Sequence, residues 1–258
     1  MPRFIRWQGI VLCVAALVST VWLAVTNQLI LYIHPRYIVF TVIMTVLGLV
    51  LVIASFGRSP GHEHEHEHEH EHDQEDAAPR GFRRAISVVG TVVTLVMATA
   101  LVVVPPAVLT TATADQRVIN STQVGSGTKT VDSAASAPAG AFARFTVLDW
   151  SSLLRQTTDA SFYRNKAANV VGFITTDRDD PQNVFYVSRF VITCCAVDAQ
   201  PVGVPVFLPN WQTRFAADHW VRVSGSFQTN PSTKSQQSIA LVPTATTKVD
   251  QPSEPYLY

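Results

Sequence analysis

Hydrophobic positions follow two different patterns in this chain. The first hundred residues carry long uninterrupted apolar runs, and the last hundred carry short ones broken by polar residues. Trp7 to Ile33 holds no charged residue around the core "GIVLCVAALVSTVWLAV". Tyr37 to Gly57, "YIVFTVIMTVLGLVLVIASFG", is also uncharged, as is Ala85 to Val104, "AISVVGTVVTLVMATALVVV". About 20 helical residues, at about 1.5 Å each, cross the roughly 30 Å hydrocarbon core of a bilayer. A helix in a soluble core would show polar residues on one face at helical spacing, and these runs do not. The pattern predicts three transmembrane helices. Arg3 and Arg6 would suit a signal peptide, but the first run is long and no small-x-small cleavage site closes it. An uncleaved helix is expected there. Pro35 in "YIHPRY" predicts a tight turn between the first two helices, with Asn27 and Gln28 at headgroup level.

Pro105–Pro106 ends the third run. Residues 110 to 141 are rich in Ser, Thr, Ala and Gly, which predicts a flexible linker. The pattern then shifts to β-branched and aromatic runs separated by Asp, Pro, Gly and Asn: "FTVLDW", "NVVGFITT", "VFYVSRFVIT", "VGVPVFL", "HWVRVSGSF" and "SIALVPTATTKV". Five or six such strands in about 100 residues predict a small barrel or sandwich. Gly225, where "HWVRVSGSF" stops alternating, favours an OB-like β-barrel. A short helix capped by Ser151 is expected in "SSLLRQTTDA".

The expected fold is therefore membrane α plus all-β: three transmembrane helices followed by a small extracytoplasmic OB-like β-barrel domain. The expected parts are a helical hairpin over 1–56, a cytoplasmic loop over 57–84 and a third helix over 85–104. A linker over 105–141, a β-domain over 142–250 and a tail over 251–258 complete the chain.

Charge adds orientation. Only 15% of the 258 residues are charged, with 19 basic and 19 acidic side chains. Arg3, Arg6, Arg58, Arg80, Arg83 and Arg84 lie on one side of the predicted helices, against Arg36 and Arg117 on the other. That bias predicts a cytoplasmic N-terminus and 58–84 loop, with the C-terminal domain outside. No basic patch with interleaved aromatics supports nucleic-acid binding.

Two stretches carry candidate chemistry. "GHEHEHEHEHEHDQED" places His62, His64, His66, His68, His70 and His72 at alternate positions among carboxylates. Imidazole and carboxylate both bind transition metals, but a repetitive loop offers many ligand combinations and no single fixed site. The other stretch is "RFVITCCAVDAQPVGVPV". Adjacent cysteines on a straight strand point to opposite faces, so Cys194 and Cys195 share a metal only if a bend or turn follows. Asp198, or the distant His219, would then add a ligand. The alternatives are a redox-active pair and an ordinary pair in which one cysteine is a buried small hydrophobe and the other is half exposed. "TTDRDDPQN" lacks the glycine and glutamate of a calcium loop and reads as a polar hairpin turn. No nucleophile elbow or phosphate loop occurs, so an enzyme is not expected.

The chain resembles the YcgQ-like family of bacterial membrane proteins. The resemblance rests on "YIHPRY", the His-rich loop, Pro105–Pro106 and, above all, "RFVITCCAVDA" followed by "DHWVRVSGSF". Its signature falls on Arg189, Phe190, Cys194, Cys195, Asp198, Ala199, Trp220 and Gly225, with Val197 departing where a small residue is expected. The resemblance implies an accessory subunit of an integral-membrane permease, with a C-terminal domain of uncharacterised function and a context of zinc handling. The rival expectations are a membrane-anchored thiol or metal protein built on Cys194 and Cys195, and a tether presenting a binding module.

Overall fold

The computed structural model describes residues 2–57, 80–104, 108–121, 129–164 and 166–258. It forms two compact units, one of residues Met1–Leu29 and Pro35–Pro106, the other of residues Ile30–His34 and Ala107–Tyr258.

The first unit is helical, with α1 (Pro2–Val25), α2 (Ile38–Gly57) and α3 (Arg80–Val103). Helix α1 packs against both α2 and α3. Polar residues within the helices turn inward to the backbone. Thr45 and Thr94 donate to carbonyls four residues back at 2.7 and 2.8 Å, which satisfies each hydroxyl without an outside partner.

The expectation of three transmembrane helices is overturned. Among the described residues, one helix, Pro35–Ala54, is long and apolar enough to cross a membrane by length and composition. The apolar helices Gly9–Val25 and Val88–Ala100 are shorter. The run from Trp7 to Ile33 is not one helix, because backbone geometry ends it early. Thr26 Oγ1 donates to the Trp22 carbonyl at 2.7 Å, and Asn27 takes a left-handed φ of 56°. Leu29–Leu31 then forms a separate 3₁₀ turn. Asn27 and Gln28 thus lie at a helix stop. In α3, Arg80, Arg83 and Arg84 lie inside the helix, so charge occupies its first turns.

The second unit is built on a six-stranded mixed sheet: β1 (Ala167–Thr176), β2 (Val184–Val191), β3 (Gln200–Phe207), β4 (Trp220–Thr229), β5 (Ile239–Lys248) and β6 (Tyr256–Leu257). Pairings β1–β2, β2–β3, β4–β5 and β1–β4 are antiparallel; β3–β5 and β2–β6 are parallel. The five longer strands pair in a ring, β1–β2–β3–β5–β4 and back to β1. Strand β1 serves both neighbours by changing partner near Phe173. Gly172 permits that change, since a Cβ there would lie 2.4 Å from the Ser188 carbonyl oxygen. Gly225 marks a register shift opposite β5, where a Cβ would lie 2.2 Å from the Val242 oxygen.

The expected all-β description is corrected too, because helices contribute to the core of this unit. "FTVLDW", expected as a strand, begins helix α6, which follows α4 (Thr111–Asp115) and α5 (Val131–Ala135) and spans Val147–Gln156; α7 (Ala160–Tyr163) follows it. Thr146 caps α6, not Ser151. Its Oγ1 accepts from Asp149 N–H at 3.2 Å, and its own N–H donates to the Asp149 carboxylate at 2.9 Å. That reciprocal cap overrides the β-like composition, and Trp150 and Leu153, three apart on one helix face, are fully buried. Alternate residues of the strands complete the core, among them Phe185, Val187 and Val191 of β2 and Val202, Val204 and Val206 of β3.

The described residues within 105–141, expected as linker, hold to this unit by side-chain hydrogen bonds. Thr111 N–H and Oγ1 both donate to the Asp218 carboxylate at 2.6 Å. Asn120 accepts from Gly203 N–H and donates to the Gly203 carbonyl, each at 2.9 Å, so its side chain imitates a strand edge. Ala134 is fully buried. In the expected tail, Tyr256 and Leu257 of β6 pair with Phe190 and Val191.

Candidate functional site

Beyond Val191, where β2 ends, the chain bends at Thr193–Cys194 and enters a 3₁₀ turn, Ala196–Asp198. Asp198 fixes the bend. Its Oδ1 accepts from Thr193 N–H at 3.1 Å, and its Oδ2 accepts from Cys194 N–H at 2.7 Å and Cys195 N–H at 3.4 Å. In return, the Asp198 N–H donates to the Cys195 carbonyl at 3.0 Å, which closes the turn. The bend removes the opposite-face geometry of adjacent cysteines. The Cys194 and Cys195 sulfurs and an Asp198 carboxylate oxygen all lie within 4.8 Å of one another. Cys194 is exposed, while Cys195 and Asp198 are half-buried.

The turn is braced from far along the chain. Ala196 N–H donates to the Tyr32 carbonyl at 2.8 Å, His34 N–H donates to the Cys194 carbonyl at 3.0 Å, and Ile33 pairs antiparallel with Cys195. Tyr258 Oη donates to the Ile30 carbonyl at 3.1 Å, and its ring meets the His34 ring edge-on at 4.9 Å. Burial pushes the Tyr258 phenol up to about 12, with Glu254 and Tyr256 adding to the effect, so it is a neutral donor near pH 7. Arg117 adds a bond from Nη2 to the Val197 carbonyl at 3.1 Å.

The base of the turn is packed and aromatic. Phe190 stacks on Phe173 at 5.4 Å, Phe173 meets Trp220 at 5.8 Å, and Ala199 is fully buried in the same cluster. The Arg189 guanidinium lies 5.2 Å over the Trp220 ring. It donates to the carbonyls of Glu254 at 2.6 Å and Val171 at 3.4 Å, and its buried Nε has no partner. Burial lowers its pKa to about 10, against the opposing pull of Glu254 and Tyr258, so it stays charged at neutral pH. Arg189, Phe190, Ala199 and Trp220 thus form the footing of the cysteine turn, and Gly225 sits at a bulge in β4.

Of the nine metal-ligand candidates in the sequence, Cys194, Cys195 and Asp198 come together. His62, His64, His66, His68, His70 and His72 lie outside the described residues. His219 does not join the cluster; its Nδ1 accepts from Ala216 N–H at 3.2 Å. The role of Tyr32–His34 had no signal in the sequence, because the bracing residues lie far from the cysteines along the chain.

Two thiols and a carboxylate suit a thiophilic divalent cation such as zinc. Zn–S bonds of about 2.3 Å in a tetrahedron place two sulfurs about 3.8 Å apart, within the 4.8 Å that bounds the separations of the three ligand atoms. Oδ1 of Asp198 accepts one hydrogen bond in the turn, which leaves it a further lone pair.

The chain carries both DUF1980 domains. The DUF1980 N-terminal domain covers residues 7–120 and the DUF1980 C-terminal domain covers residues 146–258. No curated protein matches the chain. All six strands and the cysteine turn fall in the DUF1980 C-terminal domain. The DUF1980 N-terminal domain holds the three long helices, and it also supplies Tyr32–His34 and the 108–120 segment to the β-domain unit. The contacts that hold the cysteine turn therefore come from both DUF1980 domains.

Proposed function

We propose that this protein is a membrane-attached accessory subunit of a permease, and that its C-terminal domain takes up a thiophilic divalent metal, zinc foremost, at Cys194, Cys195 and Asp198. The observation that carries the metal reading is the convergence of these three ligand atoms on an accessible turn. Helix α2 supports membrane attachment. Phe40, Ile43, Leu51 and Ile53 are each about 60% exposed, an apolar surface that lipid or an apolar partner would cover at far lower cost than water. The permease partner follows from the resemblance to the YcgQ-like family. The arginines flanking the His–Glu tract favour a cytoplasmic position for it, where it would collect metal.

Two experiments test this reading. Zinc binding by the full chain in detergent, with the six tract histidines replaced by asparagine, should disappear in the Cys194→Ser/Cys195→Ser variant. Unchanged binding would end the metal reading. Extraction in mild detergent followed by affinity capture should recover an integral-membrane permease, and its absence would count against the subunit role. A second reading, thiol redox chemistry, draws on the same exposed Cys194. Zinc should protect the pair from alkylation if metal is the ligand, whereas reversible loss of labelling on mild oxidation favours redox use.

A further inference from the structure

Three ligands from one turn leave a four-coordinate cation one position short. The backbone register names the residue that faces that position. The bonds His34 N–H to Cys194 O and Ala196 N–H to Tyr32 O flank the pair Ile33–Cys195. In antiparallel register this places His34 directly across from Cys194. Directly opposite residues have Cβ atoms about 4.5–5.5 Å apart, within reach of an imidazole and a thiolate that share one metal. We infer that His34 is the fourth ligand, giving a site of two thiolates, one carboxylate and one imidazole for a zinc-class cation.

This rests on the metal reading above and adds its donor set. The His34 ring packs edge-on against Tyr258, and its ring nitrogens lie outside the 4.8 Å group. Rotation about the side-chain bonds from Tyr258 toward Cys194 brings imidazole to the metal while the backbone pairing holds. His34 belongs to the DUF1980 N-terminal domain and the other three ligands to the C-terminal one. Bound metal would therefore clip the Tyr32–His34 strand to the cysteine turn, and occupancy would be felt by the segment that runs directly into α2.

Cobalt(II) provides the test, in the full chain in detergent with the six tract histidines replaced by asparagine. Sulfur-to-cobalt charge-transfer bands report the thiolates, and the intensity of the visible bands reports tetrahedral geometry. The parent should show both. His34→Ala should keep the charge-transfer bands, weaken the visible bands and lower affinity at least about tenfold. His34→Cys restores a ligand, and should recover tetrahedral intensity with stronger charge transfer, which separates ligation from a folding defect. An unchanged spectrum and affinity in His34→Ala, or no added charge transfer in a folded His34→Cys, overturns the role of His34 and leaves the three-ligand reading standing. A parent without thiolate bands overturns the three-ligand reading itself, and His34 with it.

Discussion

Strand β2 ends in two turns that use aspartate alike and finish differently. At its start, Asp177 Oδ1 accepts from the N–H groups of Asp179 and Asp180 at 2.9 and 2.8 Å, and Oδ2 accepts from Ser235 Oγ at 3.2 Å. Asp180 accepts from Ser232 Oγ at 2.6 Å and from Asn183 Nδ2 at 2.9 Å. Both carboxylates are buried, at 2% and 3% exposure, so this acidic loop is closed by its own bonds. At the far end of β2, Asp198 likewise gathers backbone N–H groups, but there it holds two sulfurs near the surface. A carboxylate can therefore staple a turn shut or staple it open. What separates the two turns is which neighbouring groups the staple leaves accessible.

The largest expected effect tests the open turn. With the tract histidines replaced, Cys194→Ser/Cys195→Ser should lower zinc affinity by more than about 100-fold, since losing ligands costs more than the 10–100-fold typical of their supporting partners. Asp177→Asn should leave the affinity unchanged, and calorimetric titration that finds an equal loss in both would dissolve the contrast. Next in size is Asp177→Ala. It strands two backbone N–H groups and Ser235, and should cost about 2 kcal/mol in urea unfolding followed by tryptophan fluorescence. Asp198→Asn sits in a more exposed turn and should cost about 1 kcal/mol, together with a clear loss of zinc affinity. A stability loss matching that of Asp177→Ala would mean the cysteine turn is as closed as its counterpart.

A smaller effect depends on acid. The Ser232 hydroxyl, then Asn183 and Lys234, hold the Asp180 carboxyl below its ordinary value of 3.8. The folded pKa is depressed, so the stabilisation is present above 3.8 and is lost as pH falls through the folded value. Ser232→Ala should flatten the acid limb of stability below about pH 4 in unfolding curves measured at several pH values. The smallest expected effect is Val197→Ser, at the 82% exposed tip of the open turn, with stability changed by less than about 0.5 kcal/mol.

Much of the β-domain was legible because alternation records burial directly. Five of the six expected strand runs correspond to β1–β5. "FTVLDW" was misread since β-branched and aromatic residues suit a buried helix face as well as a strand, and the Thr146–Asp149 cap decides between them. The apolar runs of the first hundred residues were read as three complete spans, yet composition does not register the left-handed Asn27 or helical turns that begin in arginine. The 105–141 stretch was read as linker because its bonds come from Thr111, Arg117 and Asn120, small or polar residues that hydropathy scores as solvent-seeking. The "TTDRDDPQN" hairpin turn was read correctly as polar, though not its burial.

Sequence alone determined which atoms are available: two adjacent thiols followed by an aspartate three residues on, with a glycine where β4 must bulge. Those are local facts, set by residue type and short spacing. Tertiary structure decided whether the atoms meet. The bend at Thr193–Cys194 turns two sulfurs toward one carboxylate because Asp198 folds back onto three N–H groups, and it holds because Tyr32–His34 pairs with it from more than 150 residues away. Spacing along the chain carries no information about such a contact, since it forms only when Ile30–His34 folds into the same compact unit as the β-domain.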